Sequence, residues 1–416
     1  MRKILLLIIL IISLPAIFGS KVGDINKDGY IDISDVIYLF KHRDVPLTDG
    51  DLNCDNSVDI ADVVYLFRNY DKFREPVVFA KYFQIDQHWN EGYCIVTDSK
   101  GHKFLLTNRS DISVPGTIKI EIPVKKIVTI FYCPIVSTAD ILKENWIYDT
   151  IKGVPKYILK YSSDLKNRYN EGKVYDIGSS TSIDYNIVLN ISPDIVFLGD
   201  WPQHDAMEEK LKELNLTVSR FYTYIEPTFL GRIEWAKFAA AFWGHNVYEK
   251  ANNYFQNAWK KYMDLKRKTY GANYINAVTF SAFTSGKVYI PQGQNYYASW
   301  INDFRGNYIF SYIPGTKSQK IDTELFVEKA KNADVVIFRQ FKNITTADEI
   351  MNYYPFLGNI KEWKAYKNGR FYISRPDYYI WEAKDPIGMM EDFAKMLHPE
   401  KFPNGDNDLK YYHKVK

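Results

Sequence analysis

The chain has 416 residues, 46% of them hydrophobic, which is enough for two or three domains with hydrophobic cores. Its net charge is only +3 at pH 7, and no stretch of the body is basic enough to indicate nucleic-acid binding. Three cysteines, an odd number, argue against a scaffold of paired disulfides. The 33 Tyr, 25 Phe and 9 Trp are a surplus that is typical of aromatic-lined binding clefts.

Residues 1–20 have the pattern of an export signal. Arg2 and Lys3 precede an apolar run from Ile4 to Ile17, which is followed by the small residues Gly19 and Ser20. The run is short for a membrane span, so we expect cleavage, with an uncleaved anchor as the alternative. No cysteine stands at its end, so a lipid anchor is not expected. The protein is therefore predicted to be exported and to act outside the cell or at its surface.

The next segment is acidic and contains an internal duplication. Residues 21–72 carry six basic and eleven acidic side chains, and residues 23–42 align with residues 50–69. In each copy, oxygen-bearing residues occupy the loop positions that supply ligands to a calcium ion. The predicted ligands of two calcium ions are Asp24, Asn26, Asp28, Tyr30, Asp32 and Asp35 in the first copy and Asp51, Asn53, Asp55, Ser57, Asp59 and Asp62 in the second.

This pair of loop–helix units, with no helix before either loop, resembles a dockerin. The resemblance covers about residues 22–70, and aspartate at the last ligand position of each loop agrees with it. It implies a small all-α module whose partner is a cohesin-like domain. Because clustered carboxylates repel one another, we expect the module to fold only when calcium is bound.

The body of the chain alternates predicted strands and helices. An apolar hairpin region, about residues 73–123, precedes a buried strand at Lys126–Phe131. One helix with a single apolar stripe is predicted from Asn246 to Lys268, about 34 Å long. Further strands are predicted at Pro193–Leu198, Thr217–Tyr222, Ala277–Ser281, Val288–Ile290, Ala333–Phe338 and Gly369–Ile373, and further helices at Ser137–Lys143, Ser179–Asn190, Glu208–Leu214, Ala298–Phe304, Thr323–Lys331 and Pro386–Leu397. We therefore predict an α/β fold in which one long helix bridges two Rossmann-like lobes with parallel sheets.

The predicted elements divide the chain into five parts. These are the signal (1–20), the dockerin-like calcium-binding module (21–72), the hairpin region with the N-terminal lobe (73–245), the bridging helix (246–268) and the C-terminal lobe (269–416).

Short motifs follow one another through residues 82–403. They are TDSKGHKF before KKIVTI, SPDIVF and its echo NADVVIF, FRGN, KNGRFY and LHPEKF. Together they resemble the substrate-binding proteins of ABC importers for iron-siderophore, haem and cobalamin chelates. The resemblance implies a binding protein and not an enzyme, with a permease as partner and a metal chelate as the transported ligand. A single crossing helix implies only a small closing motion.

Candidate ligand-binding residues stand at the carboxyl ends of the predicted strands, where open α/β sheets bind their ligands. Aromatic rings there can pack on the organic shell of a chelate, and arginines attract anionic groups. The predicted residues are Tyr132 and Trp201 in the first lobe and Tyr289, Tyr296, Tyr297, Arg339, Arg375 and Trp381 in the second. A free divalent metal is the alternative ligand, with His204, Asp200 and Asp205 as its nearest candidate cluster.

The resemblance also implies one acidic residue at the tip of each lobe for contact with permease arginines. Asn186 and Phe326 occupy the usual places, so the nearest carboxylates, Asp184 and Glu324, are predicted instead. Two other function classes stay open, a secreted dockerin-bearing carbohydrate-active enzyme and a cell-surface structural protein. The enzyme would need two carboxylates across a cleft, and no such pair stands out at the strand ends.

Overall fold

The computed structural model describes residues 21–416, and the export signal predicted in residues 1–20 lies outside them. The described chain begins with a small helical module, built from α1 (Ile33–Lys41), α2 (Leu47–Gly50) and α3 (Ile60–Phe73). Within residues 21–416, no helix combines the length and the apolarity needed to cross a membrane.

The helices α1 and α3 begin in the same way because the two sequence repeats place the same carboxylates at their starts. Asp32 and Asp59 are the N-cap residues, and each accepts a backbone amide of the first turn. The carboxylates of Asp35 and Asp62 in turn accept a hydrogen bond from the backbone amide of the N-cap residue, which completes a capping box in both helices.

A four-stranded sheet follows the module. Its strands β1 (Gln84–His88), β2 (Tyr93–Thr97), β3 (Lys103–Thr107) and β4 (Ile118–Ile120) are adjacent in chain order, with β3 and β4 parallel and the other pairs antiparallel. Its buried side chains belong to the same hydrophobic core as the first lobe.

The first lobe contains a five-stranded parallel sheet in the order β11-β10-β5-β6-β7. Its elements are β5 (Ile127–Thr129), α4 (Ser137–Leu142), α5 (Asn145–Thr150), β6 (Ile151–Val154), α6 (Ser163–Asn170), β7 (Tyr175–Asp176), β8 (Gly178–Ser179), β9 (Ser182–Ile183), α7 (Tyr185–Ile191), β10 (Ile195–Gly199), α8 (Gln203–Glu213), β11 (Val218–Phe221) and α9 (Phe229–Ala241). β8 and β9 form a separate small hairpin.

The longest helix, α10 (His245–Thr269), stands in the chain between the first sheet and the second. Its 25 residues give it a length of about 37 Å. Along this length it packs against α9 on one side and against the helical module and the second lobe on others.

The second lobe contains a seven-stranded sheet in the order β15-β13-β12-β16-β17-β18, with β14 beside β12. Its elements are β12 (Ile275–Phe283), β13 (Lys287–Pro291), α11 (Tyr296–Asp303), β14 (Gly306–Tyr308), β15 (Ser318–Ile321), α12 (Thr323–Ala330), β16 (Val335–Arg339), α13 (Ala347–Tyr353), α14 (Lys364–Lys367), β17 (Phe371–Ser374), α15 (Tyr378–Lys384), α16 (Pro386–Leu397) and β18 (Tyr412–Lys414).

This second sheet is mixed, and the prediction of parallel strands throughout was wrong. β13 is antiparallel to β12 because residues 284–286 form a tight turn in which Gly286 has a φ of 80°. A turn this short permits only an antiparallel neighbour, since a parallel one needs a long crossover. β15 and β18 are antiparallel to their neighbours as well.

The helical module is fixed along α10 and does not hang from a free segment. The Phe73 ring meets the Trp259 ring edge-on at 4.9 Å between centroids. The hydrogen bonds that join the module to α10 include Val22 N to Gln256 Oε1 at 3.0 Å, Asn56 Nδ2 to Arg267 O at 3.0 Å, and Arg267 Nη1 to Asp51 O at 3.2 Å. Buried side chains of the module and of the second lobe form one continuous core with α10.

The linker between the module and β1, residues 74–83, is held by two buried glutamates. Glu234 of α9 accepts the amides of residues 78–80 at 2.6–2.7 Å. Glu226 accepts those of residues 81 and 82 and the indole N–H of Trp235. We call these two carboxylates the linker clamp.

Candidate functional site

A cavity of about 510 Å³ lies beyond the carboxyl ends of the first sheet. Phe131 follows β5, Trp201 follows β10 and Phe221 ends β11, so three neighbouring strands deliver side chains to one edge. The second lobe supplies the facing wall through Tyr296 at the start of α11 and Tyr379 in α15. The volume is in the range of small-molecule sites.

Aromatic rings form much of this wall, eight of the sixteen lining residues. Trp201 packs on Phe131 with 5.5 Å between centroids and meets Tyr224 edge-on, also at 5.5 Å. Such edge contacts hold the rings in place, so their faces stay open to a ligand. The walls therefore suit a large ligand with an organic, mostly apolar surface.

The floor of the cavity holds one buried ion pair. Arg232 of α9 donates from Nη1 to Glu382 Oε2 at 3.3 Å, and the Tyr296 hydroxyl donates to the same oxygen at 3.0 Å. The Arg232 guanidinium also lies 3.8 Å from the Tyr296 ring centroid. Burial raises the pKa of Glu382, while Arg232 and Tyr296 oppose that shift.

Three of the eight predicted ligand-binding residues, Tyr132, Trp201 and Tyr296, line this cavity. Tyr297 and Arg339 lie behind the wall. The Arg339 side chain is 4% exposed, stacks on the Tyr297 ring at 3.8 Å and donates from Nε to Thr279 Oγ1. Arg339 stands at the end of a central strand, as predicted, but its side chain lies buried behind Tyr297.

The other three predicted residues are also absent from the lining within residues 21–416. Arg375 pairs with Asp377 and lies over the Trp381 ring, whose indole N–H donates to the same aspartate. Tyr289 stands in β13, where its ring packs edge-on against Phe283. Arg375 was predicted to attract an anionic ligand, but its guanidinium is already paired with the carboxylate of Asp377.

The cluster predicted as an alternative metal site is engaged within the protein. Both ring nitrogens of His204 lie beside backbone carbonyl oxygens, at 2.7 and 2.9 Å. Asp200 and Asp205 both pair with the buried Arg220 and with Lys100. The side chains of His204, Asp200 and Asp205 therefore form hydrogen bonds and ion pairs within the protein.

Thirteen of the sixteen lining residues were not among the predicted ligand-binding residues, and they include Arg232, Glu382, Tyr157, Tyr224 and Tyr379. Tyr224 stands just after a predicted strand, and that position was a usable signal. Arg232 and Glu382 lie inside helices, where no strand end marks them. Their pairing depends on two elements far apart in the chain.

The acidic loops of the helical module have matching geometry. In the first loop, Asp35 accepts the amides of Ile25, Asn26 and Asp32 at 2.7–3.1 Å, and in the second Asp62 accepts those of Leu52, Asn53 and Asp59 at 2.8–3.1 Å. These bonds fold each loop back over the start of its helix, and in the second loop the carboxylates of Asp51, Asp55 and Asp62 converge.

One observation in each loop fits a bound cation. Asp51, Asp55 and Asp62 place oxygens within 4.8 Å of one another, and Asp24 Oδ1 is buried with no hydrogen-bond partner among residues 21–416. Burial raises the pKa of Asp24 and Asp51, and in each loop the neighbouring carboxylates add to the rise. Oxygen atoms arranged in this way are typical ligands of hard divalent cations.

The remaining predicted loop ligands are more exposed and partly engaged with one another. Asn26 donates to Asp28, and Asn53 donates to Asp55. Ser57 donates to Asp55, which lowers the pKa of that carboxyl. The side chain of Tyr30, predicted to contribute its carbonyl oxygen, points to solvent.

The two predicted docking carboxylates lie at helix starts. Asp184 caps α7 by accepting the amides of Asn186 and Ile187. Glu324 is exposed in the first turn of α12, while Phe326 is buried in the core. Each acid lies nine residues before its strand-forming motif, but Asp184 is the N-cap of α7, whereas Asp322 is the N-cap of α12 and Glu324 lies within its first turn.

Comparison with known proteins agrees with this architecture. A family profile described as periplasmic binding protein matches residues 149–378. An uncharacterised lipoprotein of Methanocaldococcus jannaschii is 49% identical over 349 residues, which are 82% of this chain and 87% of that protein. A second uncharacterised protein of that organism is 33% identical, over 75% of this chain and 93% of its own length.

Solved structures show the same fold at low sequence identity. The TroA-like periplasmic binding protein FepB from Veillonella parvula has a TM-score of 0.53 at 13% identity, covering 77% of this chain and 99% of its own. Helicobacter pylori CeuE, in a complex with Ni-His, has a TM-score of 0.53 at 16% identity, covering 76% of this chain and 91% of its own. A periplasmic heme-binding protein from Pseudomonas aeruginosa has a TM-score of 0.52 at 11% identity, covering 70% of this chain and 98% of its own. From the profile match and the relatives, the chain belongs to the periplasmic binding protein family, which is a family of solute-binding proteins and not of enzymes.

Proposed function

We propose that this protein binds a metal chelate of the iron-siderophore, haem or cobalamin type in the aromatic cavity and delivers it to the permease of an ABC importer. The aromatic cavity at the carboxyl ends of the first sheet carries this proposal. Burying most of a chelate's apolar surface there can exceed about 8 kcal/mol, which corresponds to micromolar affinity. The Ni-His and heme ligands of two structural relatives are further support.

Tryptophan fluorescence tests the proposal because Trp201 lines the cavity. We expect ferric siderophores, haem or cobalamin to quench it, and zinc or manganese salts to have little effect. Trp201→Phe is the matched control, since it keeps an apolar ring and removes the reporting indole. Tight zinc binding with no response to any chelate would contradict the proposal.

We further propose that α10 acts as the single helix that bridges the two lobes. Its length of about 37 Å and its position between the two sheets support this role. One stiff connection permits only a small closing motion. Small-angle scattering with and without ligand should therefore give nearly equal radii of gyration, and a large change would refute the single-helix class.

The helical module is proposed to bind two calcium ions and to tether the protein at the cell surface through a cohesin-like partner. Apolar residues at equivalent positions of α1 and α3 are 39–58% exposed: Ile33, Ile37 and Phe40, and Ile60, Val64 and Phe67. Such a surface fits a protein partner. Tethering would raise the concentration of the binding protein near its importer. The relatives described as lipoproteins support an exported location.

Calcium removal from intact cells tests the tether. We expect a chelator to release the protein, and replenished calcium to restore its attachment. Retention in the membrane fraction, with residues 1–20 still attached, would refute the tether.

Asp184 and Glu324 are proposed as the contacts to permease arginines. Their places in the first turn or at the N-cap of a helix, at the same spacing from the strand motifs of the two lobes, support this. Charge reversal of both, Asp184→Lys with Glu324→Lys, should abolish chelate uptake and leave chelate binding unchanged. Glu328→Lys, at an exposed position one turn further along α12, is the control.

A further inference from the structure

The hydroxyl groups of the cavity's five tyrosines are already engaged with the protein. Tyr132 donates to Asp140, Tyr157 to Ile130 O at 3.4 Å, Tyr224 to Asp200 O at 2.7 Å and Tyr296 to Glu382 at 3.0 Å, while Tyr379 shares a hydrogen bond with Tyr161 at 2.9 Å. A tyrosine coordinates a metal as a phenolate, which has no proton to donate. Burial raises the pKa of all five, so forming a phenolate at any of them would cost additional free energy.

The cavity is poor in other donors for a metal ion. Among residues 21–416, its lining contains no histidine and no aspartate. Burial raises the pKa of the Cys133 thiol, so forming the metal-binding thiolate there would cost additional free energy. Glu382 supplies the remaining carboxylate, and Arg232 together with Tyr296 occupies one of its oxygens. A cation there would also meet the Arg232 charge.

The charges at the cavity are balanced. Arg232 and Glu382 form an ion pair, and no other charged side chain of the described chain belongs to the lining. Just behind Tyr132, Asp140 pairs with Lys384 at 3.3 Å. The cavity therefore presents aromatic faces and a neutral floor, where Arg232 still has N–H groups beyond the one given to Glu382.

We propose that the cavity selects a coordinatively saturated, net-neutral chelate and recognises it through its organic surface, with no bond from the protein to the metal. This inference rests on the proposed chelate-binding function and narrows it. Arg232 donates to one carbonyl oxygen of the ligand, such as that of an amide or of a hydroxamate group. Polyanionic chelates, and chelates that need a metal ligand from the protein, are excluded.

Metal replacement tests the absence of a protein–metal bond. A cyclic ferric trihydroxamate is neutral and saturated, and its chromium(III) counterpart has the same shape but exchanges ligands very slowly. We expect the two to bind with affinities equal within about threefold, a difference below 1 kcal/mol. The ferric complex should show no new phenolate-to-iron absorption band on binding. Loss of affinity with chromium, or the appearance of that band, would overturn the inference.

Charge substitution tests the selection of neutral ligands. The native protein should prefer the neutral trihydroxamate over a ferric tris-catecholate of charge −3. Glu382→Gln leaves Arg232 uncompensated, so its affinity for the tris-catecholate should rise about tenfold. The double variant Arg232→Gln with Glu382→Gln restores neutrality and should restore the native preference.

An unchanged preference in Glu382→Gln, or a native protein that favours the tris-catecholate, would refute neutral selection while leaving chelate binding intact. Failure of every chelate to bind the native protein would instead refute the proposed function. The metal-replacement experiment needs no variant, so a Glu382→Gln protein that fails to fold leaves the inference testable.

Discussion

Replacing Glu234 by Gln should free the linker that joins the helical module to the rest of the protein. Glu234 is fully buried, accepts three consecutive linker amides and pairs with the buried Lys237 at 3.1 Å. A glutamine keeps the shape of the side chain but removes its charge. The glutamine NH2 group, which is a donor, would then face linker amides that are also donors. Breaking one side of a buried ion pair costs about 3–5 kcal/mol.

Limited proteolysis measures this loss directly at residues 74–83. A cost of about 4 kcal/mol raises the population of the opened linker up to about a thousandfold. Where reclosing is faster than cleavage, the rate of thermolysin cleavage in the linker rises in proportion. Glu249→Gln is the matched control, because Glu249 makes a partly exposed contact with His245 and its loss should cost less than about 1 kcal/mol.

The double variant Glu234→Gln with Lys237→Met removes both charges and should recover part of the protection, since a buried pair replaced by uncharged groups is tolerated better than a broken one. Linker cleavage of Glu234→Gln at the native rate would refute the assignment of the linker clamp. Cleavage spread evenly over the whole chain would show that the substitution acts on the entire fold instead.

The remaining predictions concern pH, calcium, the module and the cavity. Burial raises the pKa of Glu226 to about 7, so the folded state keeps a proton that the unfolded state releases near 4.5. The free energy of unfolding should therefore fall by about 3 kcal/mol as the pH rises between these two values. In denaturation curves measured across this range, Glu226→Gln should remove most of that pH dependence. Asp35→Ala and Asp62→Ala should each remove one of two calcium ions measured by titration calorimetry; two ions retained by either variant would contradict the assignment. Trp259→Ala should cost about 3 kcal/mol and speed hydrogen exchange in residues 21–72, unlike exposed Tyr274→Ala. Trp201→Ala should weaken chelate binding about tenfold, and unchanged affinity would remove this ring from the site.

Local periodicity was enough to locate the elements with a clear pattern. The long helix was predicted at Asn246–Lys268 and is found at His245–Thr269, because its apolar stripe has the helical spacing. The strand predicted at Pro193–Leu198 is found at Ile195–Gly199, where a continuous apolar run is buried on both faces. The final helix, Pro386–Leu397, is found with the predicted bounds because a proline marks its start.

The prediction failed where an element is buried on all sides. α9 shows no contrast between an apolar and a polar face, since nearly all its residues are buried. Periodicity therefore gave no sign of it, and its one cavity residue, Arg232, was missed with it. Arg339 shows the opposite limit, because its strand end was located but the direction of its side chain depends on packing behind Tyr297.

The attachment of the helical module along α10 has a consequence for orientation. A partner that grips the module also determines the direction in which the cavity faces, because the aromatic contact at Trp259 and the hydrogen bonds to α10 leave no free joint between them. A flexible tether would let the binding protein tumble and sample every direction. If the proposed tether exists, the segment that carries the partner must supply the flexibility needed to reach the permease, and the length of that segment sets how far the cavity can move.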